Sequence, residues 1–135
     1  MRLSLLMVSI LILAACAENR SSAMREKVAK AMDAGSLKPD ANGTVQLPAE
    51  LEAASYDGKA FVTTTKSGQR WLLIRYWTGK GANFQGYVYA PGASLKAGDK
   101  ISLITQCINE VGLINDIDVG GKSEGDWFAV SFSLH

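Results

Sequence analysis

The chain has 135 residues, a formal net charge of +1, two cysteines and one histidine, and 47% of its residues are hydrophobic. This length suits one domain with a sizeable core, and the composition excludes a disordered or fibrous chain. Nucleic acid is not an expected partner, because neutralising a phosphate backbone needs a clustered positive excess.

The N-terminus has the features of a secretory signal. Arg2 precedes an apolar run from Leu3 to Ala15 that only Ser4 and Ser9 interrupt. As a helix this run would rise about 20 Å, against roughly 30 Å of hydrocarbon in a bilayer, which disfavours a permanent transmembrane span. We therefore predict that residues 1–15 are a cleaved signal peptide.

The apolar run ends in the sequence LAAC, residues 13–16. This ending resembles the lipobox of bacterial lipoproteins. The resemblance implies that Cys16 becomes the first residue of the mature protein and bears a thioether-linked diacylglycerol, usually with a third chain on its amine. Two acyl chains already suffice for stable anchoring, at about 0.8 kcal/mol per buried methylene. The alternatives are a plain cleaved signal peptide with a chance cysteine, or a short buried helix.

The resemblance also predicts where the protein resides. A lipid on Cys16 would hold it at a membrane of the cell envelope. Ala17 follows the cysteine where aspartate favours retention in the inner membrane of enteric bacteria, so the outer membrane, facing the periplasm, is preferred. Arg2 is the only charged residue in 1–15 and the whole chain has 14 basic and 13 acidic residues, so the mature chain is formally neutral. Net charge would not steer it to anionic lipid.

The second cysteine has no partner for a disulfide if Cys16 bears lipid. Cys107 follows Ile101 and Leu103 with the spacing of one strand face, if residues 101–108 are extended. A buried structural thiol is preferred over a reactive one.

Residues 16–44 are predicted to be the lipidated cysteine, a tether and a short helix. Ser21 or Ser22 is a suitable N-cap, good helix formers fill Ala23 to Asp33, and Gly35 is a stop signal. A narrow apolar stripe, formed by Met24, Val28 and Met32, would dock on the domain or touch the membrane surface. Spacing the domain from the bilayer is the preferred interpretation.

Residues 45–135 alternate between apolar and polar residues and are interrupted by glycine-rich turns, which predicts a β domain. Six segments read as strands: Lys59–Thr65, Arg70–Trp77, Phe84–Ala90, a segment from Ile101, Val111–Val119 and Trp127–Leu134. The fold class predicted is mainly β, a small antiparallel sandwich or barrel of about six strands preceded by the short helix. The pattern does not distinguish a sandwich from a barrel.

Few residues offer catalytic or metal chemistry. His135 is the one histidine and lies at the end of the chain, where termini commonly fray. A serine or cysteine triad needs an imidazole held by packing, and a zinc site needs more nitrogen and sulfur ligands. We predict no cofactor and no metal.

Carboxylates gather in residues 115–126, namely Asp116, Asp118, Glu124 and Asp126. Counted from Asp116, the EF-hand pattern fails at its fifth position, Gly120, and at its twelfth, Trp127. A calcium site of another type is the minor alternative to a solvated hairpin end. Asp116 and Asp118 share a strand face about 6 to 7 Å apart, which is within the range of a glycosidase pair.

Aromatic residues concentrate in residues 71–89, together with arginine, lysine and glutamine. Such mixtures mark surfaces that bind sugars, peptides or proteins, although core packing explains part of the cluster. The possible binding face comprises Trp71, Arg75, Trp77, Lys80, Gln85, Tyr87 and Tyr89. Its segment WTGKGANFQGYVY resembles uncharacterised small secreted bacterial proteins, and that resemblance implies no activity.

These features together favour a noncatalytic envelope lipoprotein whose β domain binds a protein or glycan partner through this face. The first alternative is an inhibitor of a hydrolase such as lysozyme, by analogy of size and location. A lower alternative is a carboxylate-dependent hydrolase using Asp116, Asp118 or Glu124.

Overall fold

The structure is a computed structural model that describes residues 22–105, 107–108 and 114–133. Helix α1 spans residues 22–33, and a 3-10 helix spans Ala49–Ala54. The seven strands are β1 (Thr44–Gln46), β2 (Lys59–Thr65), β3 (Arg70–Thr78), β4 (Phe84–Tyr89), β5 (Lys100–Ile104), β6 (Ile114–Lys122) and β7 (Trp127–Phe132). The predicted signal peptide, Cys16 and His135 lie outside the described residues.

Six antiparallel strands close into a barrel, and β1 adds a seventh strand at its side. The hydrogen-bonded order is β1-β2-β3-β4-β7-β6-β5, and β5 returns to pair with β2. Each half of the barrel, β2-β3-β4 and β5-β6-β7, is a meander of strands joined in sequence. The prediction of a mainly β domain with a preceding helix is confirmed, and of its two architectures the structure has the barrel.

The barrel interior is filled by alternate residues of all six strands. In β3 the inward side chains are Trp71 and Leu73, while Leu72 and Ile74 between them point outward. This strand is apolar on both faces because each face has its own core. The buried interior residues are Phe61, Trp71, Leu73, Phe84, Val88, Ala90, Ile101, Leu103, Ile117, Val119, Phe128, Val130 and Phe132.

A second core lies between α1 and the outer face of the barrel. Val28 and Ala29 of α1 are fully or almost fully buried and belong to a cluster with Leu72, Ile74 and Trp127. Of the two alternatives for the apolar stripe of this helix, docking on the domain is the one that the structure has. Spacing of the domain from a bilayer by residues 16–44 stays a prediction. No helix in the described part of the chain is long and apolar enough to cross a membrane.

Strand β2 pairs with two strands, β1 and β5, along the same edge. Its first residues pair with β1, from Lys59 to Phe61, and its last two pair with β5, at Thr64 and Thr65. The barrel is thus closed at this seam by only two residue pairs. Strand β5 ends at Ile104, so Cys107 lies in a turn beyond it and not on a strand that continues to residue 108.

Candidate functional site

A β-bulge in β3 determines which side chains reach the surface near residue 76. Arg75 pairs with Gly86 and Trp77 pairs with Gln85, so β3 has one residue more than β4 over this stretch. The extra residue is Tyr76, whose hydroxyl contacts Gln85 on the outer face of the barrel. Trp77 pairs with Gln85 and lies beside it on the same exposed face. A bulge re-aims side chains in this way. Tyr76 and Trp77 are consequently 48% and 49% exposed.

Gly86 is the residue that allows the bulge to approach β4. A Cβ atom at this position would lie 2.3 Å from the carbonyl oxygen of Ile74 and 3.1 Å from Cα of Arg75. Both are backbone atoms, which cannot move aside as the end of a side chain can. The close approach of the two backbones therefore requires glycine here.

Three exposed aromatic residues, Tyr56, Tyr76 and Trp77, have their backbones at or next to the bulge, and we name them the aromatic patch. The backbone N–H of Tyr56 donates to the carbonyl of Arg75 at 2.7 Å, and its side chain is 63% exposed. The hydroxyl of Tyr76 donates to Oε1 of Gln85 at 2.8 Å. The patch is held by backbone and side-chain hydrogen bonds and is not a loose loop.

Helix α1 lies beside the patch on the outer face of the barrel and contacts it through Tyr87 and Tyr76. The guanidinium of Arg25 lies 3.7 Å above the ring of Tyr87, and that ring lies 5.2 Å from the ring of Tyr76. Arg25 is almost fully buried, and its Nε has no hydrogen-bond partner within the described residues. Stacking on Tyr87 is the attraction that holds this cation in place.

The seven residues of the predicted binding face do not form one exposed surface, so that geometry is wrong. Trp71 is only 9% exposed and lies inside the barrel, because strand alternation turns it away from the outer face. Tyr87 and Tyr89 face outward but pack against the core beneath α1. The exposed members are Trp77, Lys80 and Gln85. Whether these residues bind a partner stays a prediction.

Arg75, the seventh member, points into a polar cleft at the seam where β1 and β5 share the edge of β2. Its Nη2 lies 2.6 Å from Oδ2 of Asp57, and its guanidinium carbon lies 5.0 Å from the centre of the Phe61 ring. The cleft has a volume of about 450 Å³. It is lined by Asn42, Thr44, Asp57, Lys59, Phe61, Arg75 and Cys107.

The Arg75 side chain is largely buried in this polar cleft. Its side chain is 16% exposed, and the described residues offer its buried Nε no hydrogen-bond partner. A buried donor without a partner costs stability, on the order of 1 to 3 kcal/mol. The ion pair with Asp57 and the contact with Phe61 offset this cost. Asp57 accepts a hydrogen bond from Nη2 alone, so most of the five N–H donors of the guanidinium do not bond to Asp57.

Cys107 is a free cysteine at the inner end of the polar cleft. Burial raises the pKa of its thiol, and a hydrogen bond with the hydroxyl of Thr105, at 3.3 Å, opposes that shift without cancelling it. A thiol with a raised pKa is a poor nucleophile. Cys107 is half-buried and packs against the interior core of the barrel.

The acidic residues of the predicted turn bind separate partners. Asp116 accepts a hydrogen bond from the hydroxyl of Ser102 at 2.8 Å, and Asp118 lies 3.6 Å from Nζ of Lys100. Glu124 accepts a hydrogen bond from the hydroxyl of Ser22. Within the ranges that the structure describes, no group of three or more histidine, cysteine or acidic residues is arranged to hold a metal ion.

Comparison of the chain with protein-family models, curated proteins and solved structures found no match. A function for this barrel is therefore argued from the residues of its clefts and surfaces, since a fold alone does not specify one.

The sequence analysis did not identify Tyr56, Asp57 or Lys59 as site residues. All three precede or begin β2, and the antiparallel pairing of β2 with β3 brings them to Arg75. The one local signal was the adjacent pair Tyr76 and Trp77, because alternation cannot place two neighbouring aromatic residues on one face without a bulge.

Proposed function

We propose that this protein is a lipid-anchored component of the bacterial cell envelope whose noncatalytic barrel binds a partner in the polar cleft, and that this partner is a glycan in preference to a protein. The observation behind the proposal is the cleft itself. It combines charged and neutral polar side chains with the aromatic ring of Phe61, and it lies where β1 and β5 share one edge of β2.

The composition of the polar cleft suits a hydroxyl-rich ligand. Asn42 and Thr44 offer neutral donors and acceptors, Asp57 an acceptor, and Phe61 an apolar ring. Small-ligand sites in proteins typically occupy about 300 to 1,000 Å³ and combine apolar surface with a few directed polar groups. A short segment of a glycan has both the size and the mixture of ring faces and hydroxyls that such a cleft accommodates.

The charges of the polar cleft favour an acidic ligand. Lys59 and Arg75 contribute two positive charges and Asp57 one negative charge. An arginine guanidinium binds carboxylate through parallel hydrogen bonds, which gives it directional selectivity. A glycan bearing carboxylate groups, or carboxylates on peptides attached to it, is therefore the expected partner.

Binding of the intact protein to purified peptidoglycan sacculi, measured by co-sedimentation, tests this proposal. Lys59→Ala is expected to weaken binding about tenfold, because it removes one of the two cations while leaving the Arg75–Asp57 pair in place. Lys66→Ala is the matched control, since Lys66 is an exposed lysine in the β2–β3 turn and does not line the cleft.

Two outcomes would contradict the glycan proposal. In the first, both lysine variants and the unaltered protein sediment to the same extent with sacculi. In the second, the protein does not sediment but inhibits lysozyme, which would support the hydrolase-inhibitor alternative instead.

The lipid anchor has its own test. Cys16→Ser is expected to abolish incorporation of labelled palmitate and to release the protein from the membrane fraction, because the thioether attachment needs the thiol. Cys107→Ser is the control and should leave both unchanged. Separation of inner and outer membranes then determines whether the protein resides, as proposed, in the outer membrane. Labelling that survives in Cys16→Ser would refute the anchor.

A further inference from the structure

We propose that the cavity between the C-terminal end of α1 and the outer face of the barrel binds a free amino acid with an apolar side chain, its ammonium group at Asp33 and its carboxylate at Arg70. We name this space the helix cavity, and its volume is about 350 Å³. It shares no lining residue with the polar cleft. Binding in it would therefore be separate from the proposed glycan binding, and it does not require the lipid anchor.

The floor of the helix cavity is one row of side chains across three strands. Val62 of β2 pairs with Leu72 of β3, and Leu72 pairs with Tyr89 of β4. All three belong to the outer core beneath α1 and line the cavity. Side chains in register on one face of a sheet lie side by side, so these three form a continuous apolar surface.

The roof of the helix cavity consists of the last turn of α1 and the segment that follows the helix. Met32, Leu37 and Pro39 line the cavity from this side, and each is partly buried. Small-ligand sites typically have volumes of about 300 to 1,000 Å³ and mainly apolar walls with a few directed polar groups. The helix cavity has these walls, and its volume lies near the lower end of that range. A single small molecule fits it better than a polymer does.

Asp33 provides a negative charge at the helix end of the cavity. It is the last residue of α1, where the helix dipole also places partial negative charge. Within the described residues its carboxylate accepts one hydrogen bond, from the hydroxyl of Tyr89 at 3.4 Å, and it has sites for more. Burial raises the pKa of Tyr89, and the carboxylates of Asp33, Asp126 and Glu26 raise it further. The surroundings of Tyr89 are therefore negative, and an ammonium group is the charge that complements them.

Arg70 provides a positive charge at another part of the cavity wall. It precedes Leu72 by two residues on the same face of β3, which places it roughly 7 Å along the strand from the floor. Its side chain is exposed and forms no ion pair or hydrogen bond within the described residues. A guanidinium binds carboxylate through two parallel hydrogen bonds. A carboxylate on the ligand is therefore the expected partner of Arg70.

The two charges line one cavity, and these two described residues form no ion pair with each other. A ligand with one charge of each sign between them satisfies both, whereas a ligand with a single charge leaves the other residue without a partner. The apolar floor requires an apolar group on the same molecule. A free amino acid with an apolar side chain combines these three features. A short peptide is the competing ligand, and the volume of the cavity favours the amino acid.

Isothermal titration calorimetry of the full chain with L-phenylalanine tests the proposal. Three further probes each omit one feature of this ligand: 2-phenylethylamine has no carboxylate, 3-phenylpropanoate has no ammonium group, and glycine has no apolar side chain. We expect L-phenylalanine to bind at least about tenfold more tightly than each of the three, because each loses either one charged contact or the contact with the floor.

Two substitutions assign the charged contacts. Arg70→Ala should weaken the binding of L-phenylalanine about tenfold and leave that of 2-phenylethylamine unchanged. Asp33→Asn should weaken the binding of L-phenylalanine about tenfold and leave that of 3-phenylpropanoate unchanged. Both residues are exposed, so neither change removes a core contact. Lys66→Ala and Glu50→Gln are the matched controls, since both alter exposed charged residues that do not line the helix cavity, and they should leave binding unchanged.

Several outcomes would overturn the proposal. L-phenylalanine could give no heat of binding at millimolar concentrations, or it could bind equally well to the unaltered protein, Arg70→Ala and Asp33→Asn. Equal affinity for L-phenylalanine and 2-phenylethylamine would remove the role of Arg70, and tighter binding of diphenylalanine would identify a peptide as the ligand. Failure of the glycan proposal would be seen separately, because Lys59→Ala alters the polar cleft alone and should leave the binding of L-phenylalanine unchanged.

Discussion

Gly86 is the residue on which the local geometry of β3 and β4 depends. Its missing side chain leaves room for the carbonyl of Ile74, which a Cβ atom would approach to 2.3 Å. Gly86→Ala is expected to lower the free energy of unfolding by about 2 kcal/mol or more, since two backbones would have to separate. Chemical denaturation followed by tryptophan fluorescence measures this change.

Gly120→Ala provides the matched control for that substitution. Gly120 also lies in a strand beside a register shift, but its Cβ would meet Ala129 at 3.6 Å, an ordinary contact distance. We expect a change below about 1 kcal/mol there. Equal destabilisation by the two substitutions would show that close approach at the bulge is not the cause.

Cys107 gives a prediction about pH. Burial raises the pKa of its thiol above the unfolded value of 9.0, so the folded state disfavours the thiolate. Its contribution to stability is complete below pH 9 and is lost as the pH rises towards the folded pKa. Alkylation by iodoacetamide at pH 8 should therefore be more than about tenfold slower in the native protein than in denaturant. Equal rates would contradict burial of the thiol.

Helix α1 packs against the barrel as a structural element of the domain. Val28 is fully buried between this helix and the barrel. Val28→Ala is expected to cost about 2 kcal/mol of unfolding free energy, from the lost methyl groups and the cavity that they leave. Thermal and chemical denaturation measure it.

Lys27→Ala alters the neighbouring, exposed position and should change the stability by less than about 0.5 kcal/mol. If Val28→Ala is as mild as this control, α1 is not docked on the barrel in solution.

Alternation along single strands was sufficient to predict much of the barrel. The bounds of β2 match the prediction, and β3 and β4 differ from it by one residue at their ends. The bulge was not predictable in the same way, because it depends on the pairing register between β3 and β4, which the alternation of one strand does not specify. The stripe of α1 likewise identified a buried face but not its partner.

The candidate site was less predictable than the strands. Trp71 and Tyr87 are near each other in sequence, yet they lie on opposite faces of the sheet. Arg75 and Asp57 form an ion pair across 18 positions of the chain. Proximity in sequence therefore predicted a larger exposed aromatic surface than the structure has. It did not predict the polar cleft, whose residues come from separate parts of the chain.

The whole barrel has one weak closure, the seam between β2 and β5. Two residue pairs join these strands, whereas β4 is joined by six pairs to each of its neighbours. Amide hydrogen exchange followed by mass spectrometry should show faster exchange in peptides from β5 than in peptides from β4. A ligand in the adjacent polar cleft should slow exchange at the seam. Uniform exchange across both strands would contradict this prediction.

Strand β7 has a place in the sheet that bears on the order of folding. It is the last of the described strands in chain order, yet it lies between β4 and β6 and pairs with both. Without β7, strands β4 and β6 consequently have no hydrogen-bonded partner in common on that side of the barrel. The barrel therefore cannot close while residues 127–132 are missing, so a chain that emerges with its N-terminus first keeps β4 and β6 unpaired on that side until β7 is available.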